Sequence, residues 1–458
     1  MSSRRPCVAL GVAVLGVALL TAGCWRAGPI DGPGATTGAN ITGDQVPNDK
    51  AAIALQAFSR SLPVMVESDS TTHTVRLGTY GLDLQYHWKL FDGPGATSIG
   101  ATADNVGGGA SIVQSNHDAL PRMDAFYFDT TSNTLRHAPV ITGNPVNLET
   151  LDGPGSGGGG RTTDASGQFA NPSWVTGTVL NVLYAAVHQT NPGATVRLRH
   201  ASIDLANPQA TWTFEDVDGP GNVASGSVGG VGQNASVAFS GDFEHAFYLD
   251  SITFRLRHAK YDGSTWTVED LDGPGVGGGA GRTSDHVGNG STAAVATADG
   301  HLHVFYVDNT TSRLRHGDFD GSTWSFSDLD GPGVPGGAGR VNQFVGGSVT
   351  VAQNAPAPLI DVIYTNQQTL SVRHAQWSGT AWRFETIDGA GNLTAGGTTD
   401  QVGFPTFLGA VTQQMNAAVY GGVGSSILHV YTGDKTNGAF REACTLGAGI
   451  FAPANCAN

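Results

Sequence analysis

The chain contains 458 residues with 66 glycines, and only 13% of its residues are charged. A hydrophobic content of 40%, including 19 Phe, 10 Tyr and 8 Trp, supports a sizeable core and argues against disorder throughout, while a net charge of −15 argues against non-specific binding to nucleic acid or anionic lipid, which requires clustered Lys and Arg. Many glycines without a collagen period favour an all-β protein with many tight turns.

Residues 1–24 have the features of an export signal. Arg4 and Arg5 precede the apolar run CVALGVAVLGVALL, which is too short to span a bilayer comfortably and is typical of a signal peptide. The LTAGC sequence that follows ends at Cys24 and resembles the end of a bacterial lipoprotein signal, in which the cysteine is lipidated. The resemblance implies a protein held by lipid on the extracytoplasmic side of the bacterial cell envelope, with simple cleavage and secretion as the alternative.

Residues 25–34 are interpreted as a short tether between this anchor and the folded domain. Their WRAGPID sequence also mimics the spacing of Trp and Asp in the outer strands described below, so pairing with the edge of a sheet is left open. Beyond the tether, residues 35–458 are predicted to form one repeat domain.

A four-residue motif, Asp-Gly-Pro-Gly, recurs along the chain at intervals of 54 to 66 residues. Its copies begin at Asp31, Asp92, Asp152, Asp218, Asp272 and Asp330, with a degenerate DGAG copy at Asp388. Pro presets φ for the second position of a turn, the Gly after it accepts the positive φ of a type II turn, and the missing Pro N–H ends strand pairing. Each motif is therefore predicted to end a strand and begin a loop.

The residues between successive motifs read as four short strands. In 276–333, the runs STAAVATA, HLHVFYVD, SRLRHGDF and STWSFSDLD are separated by polar turns, which indicates an antiparallel meander. Within the units the second strand carries a Tyr, the third an Arg–His pair, and the fourth a Trp six residues before the motif. These residues are Tyr127, Tyr184, Tyr248, Tyr306, Tyr364 and Tyr420; Arg136–His137, Arg199–His200, Arg257–His258, Arg315–His316 and Arg373–His374; and Trp212, Trp266, Trp324 and Trp382.

Seven units follow from this alignment: 35–95, 96–155, 156–221, 222–275, 276–333, 334–391 and 392–458. The first is degenerate, and the last lacks the motif and the Trp, as terminal repeats often do. One four-stranded unit cannot bury both of its faces, whereas a closed ring covers the faces of every unit. The sequence therefore predicts an all-β fold, a seven-bladed β-propeller of four-stranded antiparallel blades.

Two of the four cysteines remain once Cys7 of the signal and Cys24 of the lipidation site are assigned. In an exported chain, a disulfide between Cys444 and Cys456 is the simple interpretation of this pair. A zinc site on the same pair is not expected, because zinc would require four ligands and no His lies between the two cysteines.

The blade sequences LRHAKYDGSTW and LRHGDFDGSTW resemble those of bacterial propeller lectins and of sialidase-type Asp-box propellers. In those families an Asp-x-Gly-x-x-Trp or Asp-Gly-x-x-Trp turn joins the two outer strands. Residues 262–266 match this turn without its leading Ser or Thr and without the spacer after Asp. The resemblance is strongest in 222–391 and implies a propeller architecture; because these families include both sugar-binding proteins and glycosidases, it leaves function open.

Two groups of residues are candidates for ligand binding. The repeated Trp rings could stack on sugars; the alternative is that Trp wedges between blades while the repeated Arg bonds a neighbouring carbonyl or motif Asp. The second group lies in long Gly-rich connections, which are expected to form a polar rim at the mouth of the central channel, able to hold a sugar, an anion or a metal, or else a solvated loop face. The rim residues are Arg161, Asp164, Arg282, Asp285, His286 and Arg340, with Asp104 and Asp400 at matching positions.

No catalytic residue, cofactor or dedicated metal site is predicted. The sequence contains no G-x-S-x-G, H-E-x-x-H, Walker A or EF-hand motif, and nothing selects the pair of carboxylates that a glycosidase needs. The favoured function is non-catalytic binding of a glycan or another cell-surface ligand. The alternatives are a glycoside hydrolase or lyase acting at the channel mouth, and a protein-interaction scaffold.

Overall fold

A computed structural model of the chain describes residues 25–31, 52–56, 62–69 and 71–80, most of 86–354 and 359–390, and, beyond these, the strands up to Thr445 with a few isolated positions. The described residues form seven separate antiparallel sheets, and no helix among them is long and apolar enough to cross a membrane. The all-β fold class is confirmed. Cys24 and Cys456 lie outside the described residues, so the predicted signal peptide, lipidation and disulfide stay predictions.

The first strand of the chain, β1 (Trp25–Asp31), belongs to the last sheet. The first three sheets in chain order are blades 1 to 3. Blade 1 contains β2 (Ala52–Gln56), β3 (Leu62–Asp69), β4 (Thr74–Tyr80) and β5 (Tyr86–Asp92). Blade 2 contains β6 (Ser111–Gln114), β7 (Arg122–Asp129), β8 (Thr134–Ile141), the short β9 (Asn144–Pro145) and β10 (Glu149–Asp152). Blade 3 contains β11 (Ala165–Ser166), β12 (Ser173–Thr176), β13 (Val179–Thr190), β14 (Gly193–Asp204) and β15 (Thr213–Asp218).

Four more sheets complete the described fold. Blade 4 contains β16 (Val231–Ser240), β17 (Phe243–Asp250), β18 (Arg255–Tyr261) and β19 (Trp266–Asp272). Blade 5 contains β20 (Ala293–Ala296), β21 (Leu302–Asp308), β22 (Arg313–Phe319) and β23 (Trp324–Asp330). Blade 6 contains β24 (Val345–Asn354), β25 (Leu359–Asn366), β26 (Ser371–Trp377) and β27 (Trp382–Gly389). Blade 7 contains β28 (Asn416–Gly422), β29 (Ser425–Gly433), β30 (Phe440–Thr445) and β1.

The innermost part of each sheet contacts the next sheet, and the contacts return to their starting point. Along the ring, β2 contacts β6, β6 contacts β12, β13 contacts β16, β16 contacts β20, β20 contacts β24, β24 contacts β28 and β28 contacts β2. A closed circle of twisted antiparallel sheets is a β-propeller.

Strand direction divides the ring into two ends. In blade 5 the turns 297–301 and 320–323, which join the first strand to the second and the third to the fourth, lie at one end, here called the lower end. The hairpin 309–312 and the motif that begins at Asp330 lie at the opposite, upper end. Because the other blades have the same strand order, their corresponding turns lie at the same ends of the ring.

The segment interpreted as a tether is a strand of the propeller. β1 pairs antiparallel with β30, from Trp25 opposite Thr445 to Asp31 opposite Phe440, and forms the outer strand of blade 7. The tether interpretation is therefore corrected. β1 supplies the Trp and the motif Asp that the C-terminal unit lacks, and it covers a strand edge that would otherwise remain unpaired.

One alignment in the last unit is also corrected. Tyr420 was aligned with the second-strand tyrosines, but it lies on β28, the innermost strand of blade 7. The second strand of this blade is β29, where Tyr431 follows Val430 in the same apolar–Tyr order.

The repeated motif has the predicted turn geometry. In the copy that begins at Asp272, the amide of Val276 donates to the carbonyl of Gly273 at 3.2 Å, and Gly275 has a φ of 72°. These are the hydrogen bond and the positive φ of a type II turn with Pro at its second position. The first Gly of the motif also has positive φ, 113° at Gly273, which the sequence interpretation did not foresee.

The motif Asp joins each blade to the next. Asp272 Oδ2 accepts hydrogen bonds from the Tyr306 hydroxyl at 2.5 Å and from Arg315 Nε at 3.1 Å, and all three residues are buried. Arg315 also donates to the carbonyl of Gly281 at 2.6 Å. The same Asp–Tyr–Arg arrangement occurs at Asp92 with Tyr127 and Arg136, Asp152 with Tyr184 and Arg199, Asp218 with Tyr248 and Arg257, and Asp330 with Tyr364 and Arg373. Asp388 accepts a hydrogen bond from Arg441 in the same way.

The structural role considered for the repeated Arg is confirmed by these contacts. Besides these Asp–Tyr–Arg contacts, apolar side chains of neighbouring blades share one core: Phe305 and Leu314 of blade 5 pack in the same cluster as Val362 and Tyr364 of blade 6. Each blade therefore buries the face of its neighbour.

Candidate functional site

The repeated histidines are buried inside the blades and are held from two sides. In blade 6, His374 Nε2 bonds Asp361 of the second strand at 2.8 Å, and its Nδ1 bonds Glu385 of the fourth strand at 3.0 Å. Blades 2, 3 and 4 repeat this arrangement around His137, His200 and His258, with Asp124, Asn181 and His245 on the second strand and Glu149, Glu215 and Glu269 on the fourth.

Blade 5 departs from this pattern. Its histidine, His316, lies opposite Ser327, where blades 2, 3, 4 and 6 have Glu. Its Nε2 is 2.9 Å from Nδ1 of His303. Burial and the neighbouring His303 lower the pKa of His316 to about 3. In blade 6, burial opposes protonation, but the hydrogen bonds to Asp361 and Glu385 outweigh it and raise the pKa of His374 to about 9.

The repeated tryptophans pack between blades. Trp212 of blade 3 is buried and meets His137 of blade 2 edge to face, with ring centroids 5.2 Å apart, while its indole N–H donates to Glu149 at 3.1 Å. The corresponding centroid distances are 5.6 Å for Trp266 on His200, 6.0 Å for Trp324 on His258 and 5.6 Å for Trp382 on His316. The wedge interpretation therefore describes their positions, and sugar stacking stays a prediction.

The three arginines of the expected rim lie in loops, and their side chains pack against the outer strands of the blades. The guanidinium carbon of Arg161 is 5.0 Å from the ring centroid of Phe214, a residue of β15, the fourth strand of blade 3. Arg282 lies in the same way over Phe326 of β23, at 5.7 Å, and Arg340 over Phe384 of β27, at 5.1 Å. The expected position at the channel mouth is corrected: the Gly-rich connection runs along the outer strand of the following blade, where a Phe ring attracts the cation.

The other rim residues also make separate local contacts. Asp164 is buried, and its carboxylate accepts hydrogen bonds from His188 at 2.6 Å and from Arg197 at 3.3 Å. The ring of His286 stacks on Phe254, with centroids 4.4 Å apart. The backbone amides of Asp104 and Asp285 donate to Thr102 and Thr283, and Asp400 lies outside the described residues. These contacts bring no two of the described rim residues into a shared site.

A cavity of about 230 Å³ lies instead at the lower end, between blades 5 and 6. Its wall combines carboxylates and imidazoles of blade 5 with two indole rings of blade 6. The lining residues are Thr297, Asp299, His301, His303, His316 and Asp318 from blade 5, and Trp377, Gly379 and Trp382 from blade 6. Of the predicted ligand-binding residues, Trp382 lines this cavity.

Hydrogen bonds fix the polar side of the cavity. Asp318 Oδ1 accepts from His301 Nδ1 at 2.9 Å, and this bond raises the pKa of His301. Asp299 Oδ1 accepts from the Thr297 hydroxyl at 2.5 Å, and this bond lowers the pKa of Asp299. Burial lowers the pKa of His303, whose Nε2 is 3.3 Å from the Thr297 hydroxyl. At neutral pH the cavity therefore presents an ionised Asp299 and a neutral His303.

The sequence interpretation missed this cavity, although the alignment of repeats contains a signal for it. The residues of blade 4 that lie 58 positions before Asp299, His301 and Asp318 are Gly241, Phe243 and Lys260. Blade 5 therefore has two acidic residues and an imidazole where blade 4 has a glycine, a cation and an aromatic ring. Comparison of the blades position by position, instead of inspection of the loops alone, would have shown this difference in chemistry.

The chain is similar in structure to several solved enzymes, at low sequence identity. A mutant puromycin hydrolase complexed with PGG is 13% identical, with a TM-score of 0.46 over 90% of this chain and 57% of that chain. A Hadza microbial sialidase is 9% identical, with a TM-score of 0.41 over 74% of this chain and 65% of that chain, slightly less than two thirds of its length. A GH43_1 enzyme from Xanthomonas citri is 10% identical, with a TM-score of 0.33 over 60% of this chain and 86% of that chain.

No protein-family profile matches the sequence, and no curated protein does. The structural likenesses have TM-scores below 0.5 and carry no argument about activity. The propeller assignment rests on the pairing of the strands and on the closed circle of contacts between sheets.

Proposed function

We propose that the protein is a non-catalytic binding propeller that takes a glycan into the cavity between blades 5 and 6. Glycan is therefore its proposed partner, and a lipid on Cys24 is proposed to hold it on the extracytoplasmic side of the bacterial envelope. The lipid proposal is supported by the sequence of residues 1–24.

The composition of the cavity wall carries the proposal. Trp377 and Trp382 offer aromatic surface to the C–H face of a sugar ring, and the carboxylates of Asp299 and Asp318 accept hydrogen bonds from its hydroxyls. A small cavity with an aromatic wall and a few convergent polar groups is the usual form of a small-molecule site.

The charge state of Asp299 does not suit the acid role in a glycosidase. A glycosidase needs one carboxylic acid that is still protonated near neutral pH, which requires a raised pKa. The hydrogen bond from Thr297 lowers the pKa of Asp299, so this carboxylate accepts hydrogen bonds and has no proton to give.

Glycan-array binding followed by titration with the best glycan tests the proposal. Trp377→Ala and Asp299→Asn are expected to weaken binding by about tenfold or more each, because each removes a contact worth roughly 1.4 kcal/mol or more. Asp262→Asn, at the exposed turn of blade 4 away from the cavity, is the matched control and should leave affinity unchanged. Uniformly weak binding to every glycan, or turnover of a glycoside, would contradict the proposal.

The anchor is tested separately. Cells producing the natural chain should incorporate labelled fatty acid into the protein and retain it in the membrane fraction. Cys24→Ala should lose both. Retention of label in Cys24→Ala would show that the lipid proposal is wrong without affecting the glycan proposal.

A further inference from the structure

The second and third strands of blade 5 carry an unusual set of side chains at the lower end. The residue pair that faces the repeated His network is Asn181–Ser202 in blade 3, His245–Lys260 in blade 4, His303–Asp318 in blade 5 and Asp361–Gln376 in blade 6. Only the pair of blade 5 joins an imidazole to a carboxylate, and His301 adds a second imidazole two residues before His303.

These three side chains converge. One donor atom from each of His301, His303 and Asp318 lies within 4.8 Å of the other two. Asp318 Oδ1 is 2.9 Å from His301 Nδ1 and 3.7 Å from His303 Nδ1. A tetrahedral ion with bonds of roughly 2.0–2.2 Å to nitrogen and oxygen holds its ligand atoms roughly 3.4 Å apart. The two separations from Asp318 lie on either side of that value, and the two imidazole donor atoms are no more than 4.8 Å apart.

We propose that His301, His303 and Asp318 bind one divalent transition-metal ion of the zinc class, with a coordination position open to the cavity. Two imidazole nitrogens and one carboxylate oxygen are donors that favour zinc and its neighbours over magnesium or calcium, which prefer all-oxygen sites. The sequence alone predicts no metal site at these positions. The proposed metal site lies in the cavity proposed for the glycan and shares Asp318 with it, but metal binding is measured without a glycan.

The surroundings of His303 orient its ring for this role. Its Nε2 lies 3.3 Å from the Thr297 hydroxyl, which donates in turn to Asp299 at 2.5 Å. Metal-bound histidines commonly have their other nitrogen fixed by such a polar chain. The Nδ1 of His303 now bonds His316 Nε2 at 2.9 Å, so metal binding through Nδ1 would replace this hydrogen bond by a metal bond.

Blade 4 provides a matched control. At the positions of His301 and Asp318 it has Phe243 and Lys260, whose ammonium lies 3.6 Å from the Phe ring centroid. The double variant His301→Phe, Asp318→Lys transplants this pair into blade 5. The repeat already accommodates it on the same strands, so the variant is expected to fold.

The test is calorimetric titration of the metal-free full chain with Zn²⁺, together with Co²⁺ absorption as a spectroscopic readout. We expect one site per chain, a tetrahedral Co²⁺ spectrum, and affinity at least 100-fold weaker in the double variant. His245→Asn, in blade 4, should leave binding unchanged, and Ca²⁺ should not compete. Zn²⁺ affinity equal in the natural chain and the folded double variant, or displacement of Zn²⁺ by Ca²⁺ at similar concentration, would overturn the proposal.

Discussion

At the scale of single residues, the buried motif Asp of each blade requires hydrogen-bond partners to compensate for its lost hydration. An ionised carboxylate in the interior is stable only where charge and hydrogen bonds compensate its lost hydration. Asp272 obtains both from the next blade, through Tyr306 and Arg315. The Tyr and Arg are therefore repeated because they donate the hydrogen bonds that stabilise the repeated Asp.

Tyr306→Phe is expected to lower the free energy of unfolding by about 1–3 kcal/mol, because it removes a buried hydrogen bond and leaves Arg315 to satisfy Oδ2 of Asp272. Urea unfolding measures the change. Tyr261→Phe is the control, since that half-buried ring keeps its packing on Trp266, and it should change stability by less than about 0.5 kcal/mol. Equal effects of the two substitutions would contradict the role of the hydroxyl.

His374 predicts a pH dependence with a definite sign. Its pKa in the folded protein is about 9, above the ordinary value of 6.5, so its contribution to stability is complete below about pH 6.5 and is lost as pH rises through 9. Glu385→Gln removes one of the two carboxylates that hold the charge. The difference in unfolding free energy between the natural chain and this variant should be large at pH 6 and vanish near pH 10. A difference that grows with pH would show the assignment to be wrong.

At the scale of elements, the turn at the motif decides where each blade ends. Gly331 has a φ of 120°, and a Cβ added there would lie 3.0 Å from the carbonyl oxygen of Ser312. The position therefore requires glycine for two reasons, conformation and space.

Gly331→Ala should destabilise the protein by more than Gly263→Ala does. Gly263 also has positive φ, 90°, but open space surrounds its missing Cβ, so its substitution costs only the backbone strain of about 1 kcal/mol. The difference between the two midpoints of thermal unfolding reports the crowding of the new Cβ by Ser312, Arg313 and Val345. Equal midpoints would mean that the turn adjusts to the added Cβ without a loss of stability.

Sequence reasoning succeeded for these elements because their information is local. Four adjacent residues determine the type II turn, and the period of the meander follows from the alternation of strands and turns. It failed for Arg282, since nothing in the Gly-rich loop shows that the chain continues along β23 and Phe326. It failed for the cavity because His301 lies in the turn before β21 and Asp318 lies on β22, and only the pairing of these two strands brings the residues together.

At the scale of the whole molecule, one strand closes the ring. β1 pairs with β30, a strand more than 400 residues further along the chain. The sequence of β1 already contains the Trp and Asp spacing of an outer strand, but no local pattern identifies a partner so distant. The contact joins the two ends of the repeat domain and so couples every blade to its neighbours.

Removal of residues 1–31 is expected to lower the midpoint of thermal unfolding and to promote association, because β30 becomes an exposed strand edge. A chain that begins at Trp25 is the matched control and should behave as the full domain. Scanning calorimetry and light scattering measure the two effects. Equal stability of both chains would show that the ring does not depend on this strand.

If Cys24 is lipidated as proposed, the position of the closing strand would also set the orientation of the molecule on the membrane. Trp25 is the first residue of a fourth strand, and fourth strands start on the side of the ring that holds the cavity. An acyl chain on the preceding residue would press this side towards the bilayer and turn the Asp-Gly-Pro-Gly loops outward to the medium. The cavity would then meet sugars borne by the surface of the cell itself sooner than those in solution.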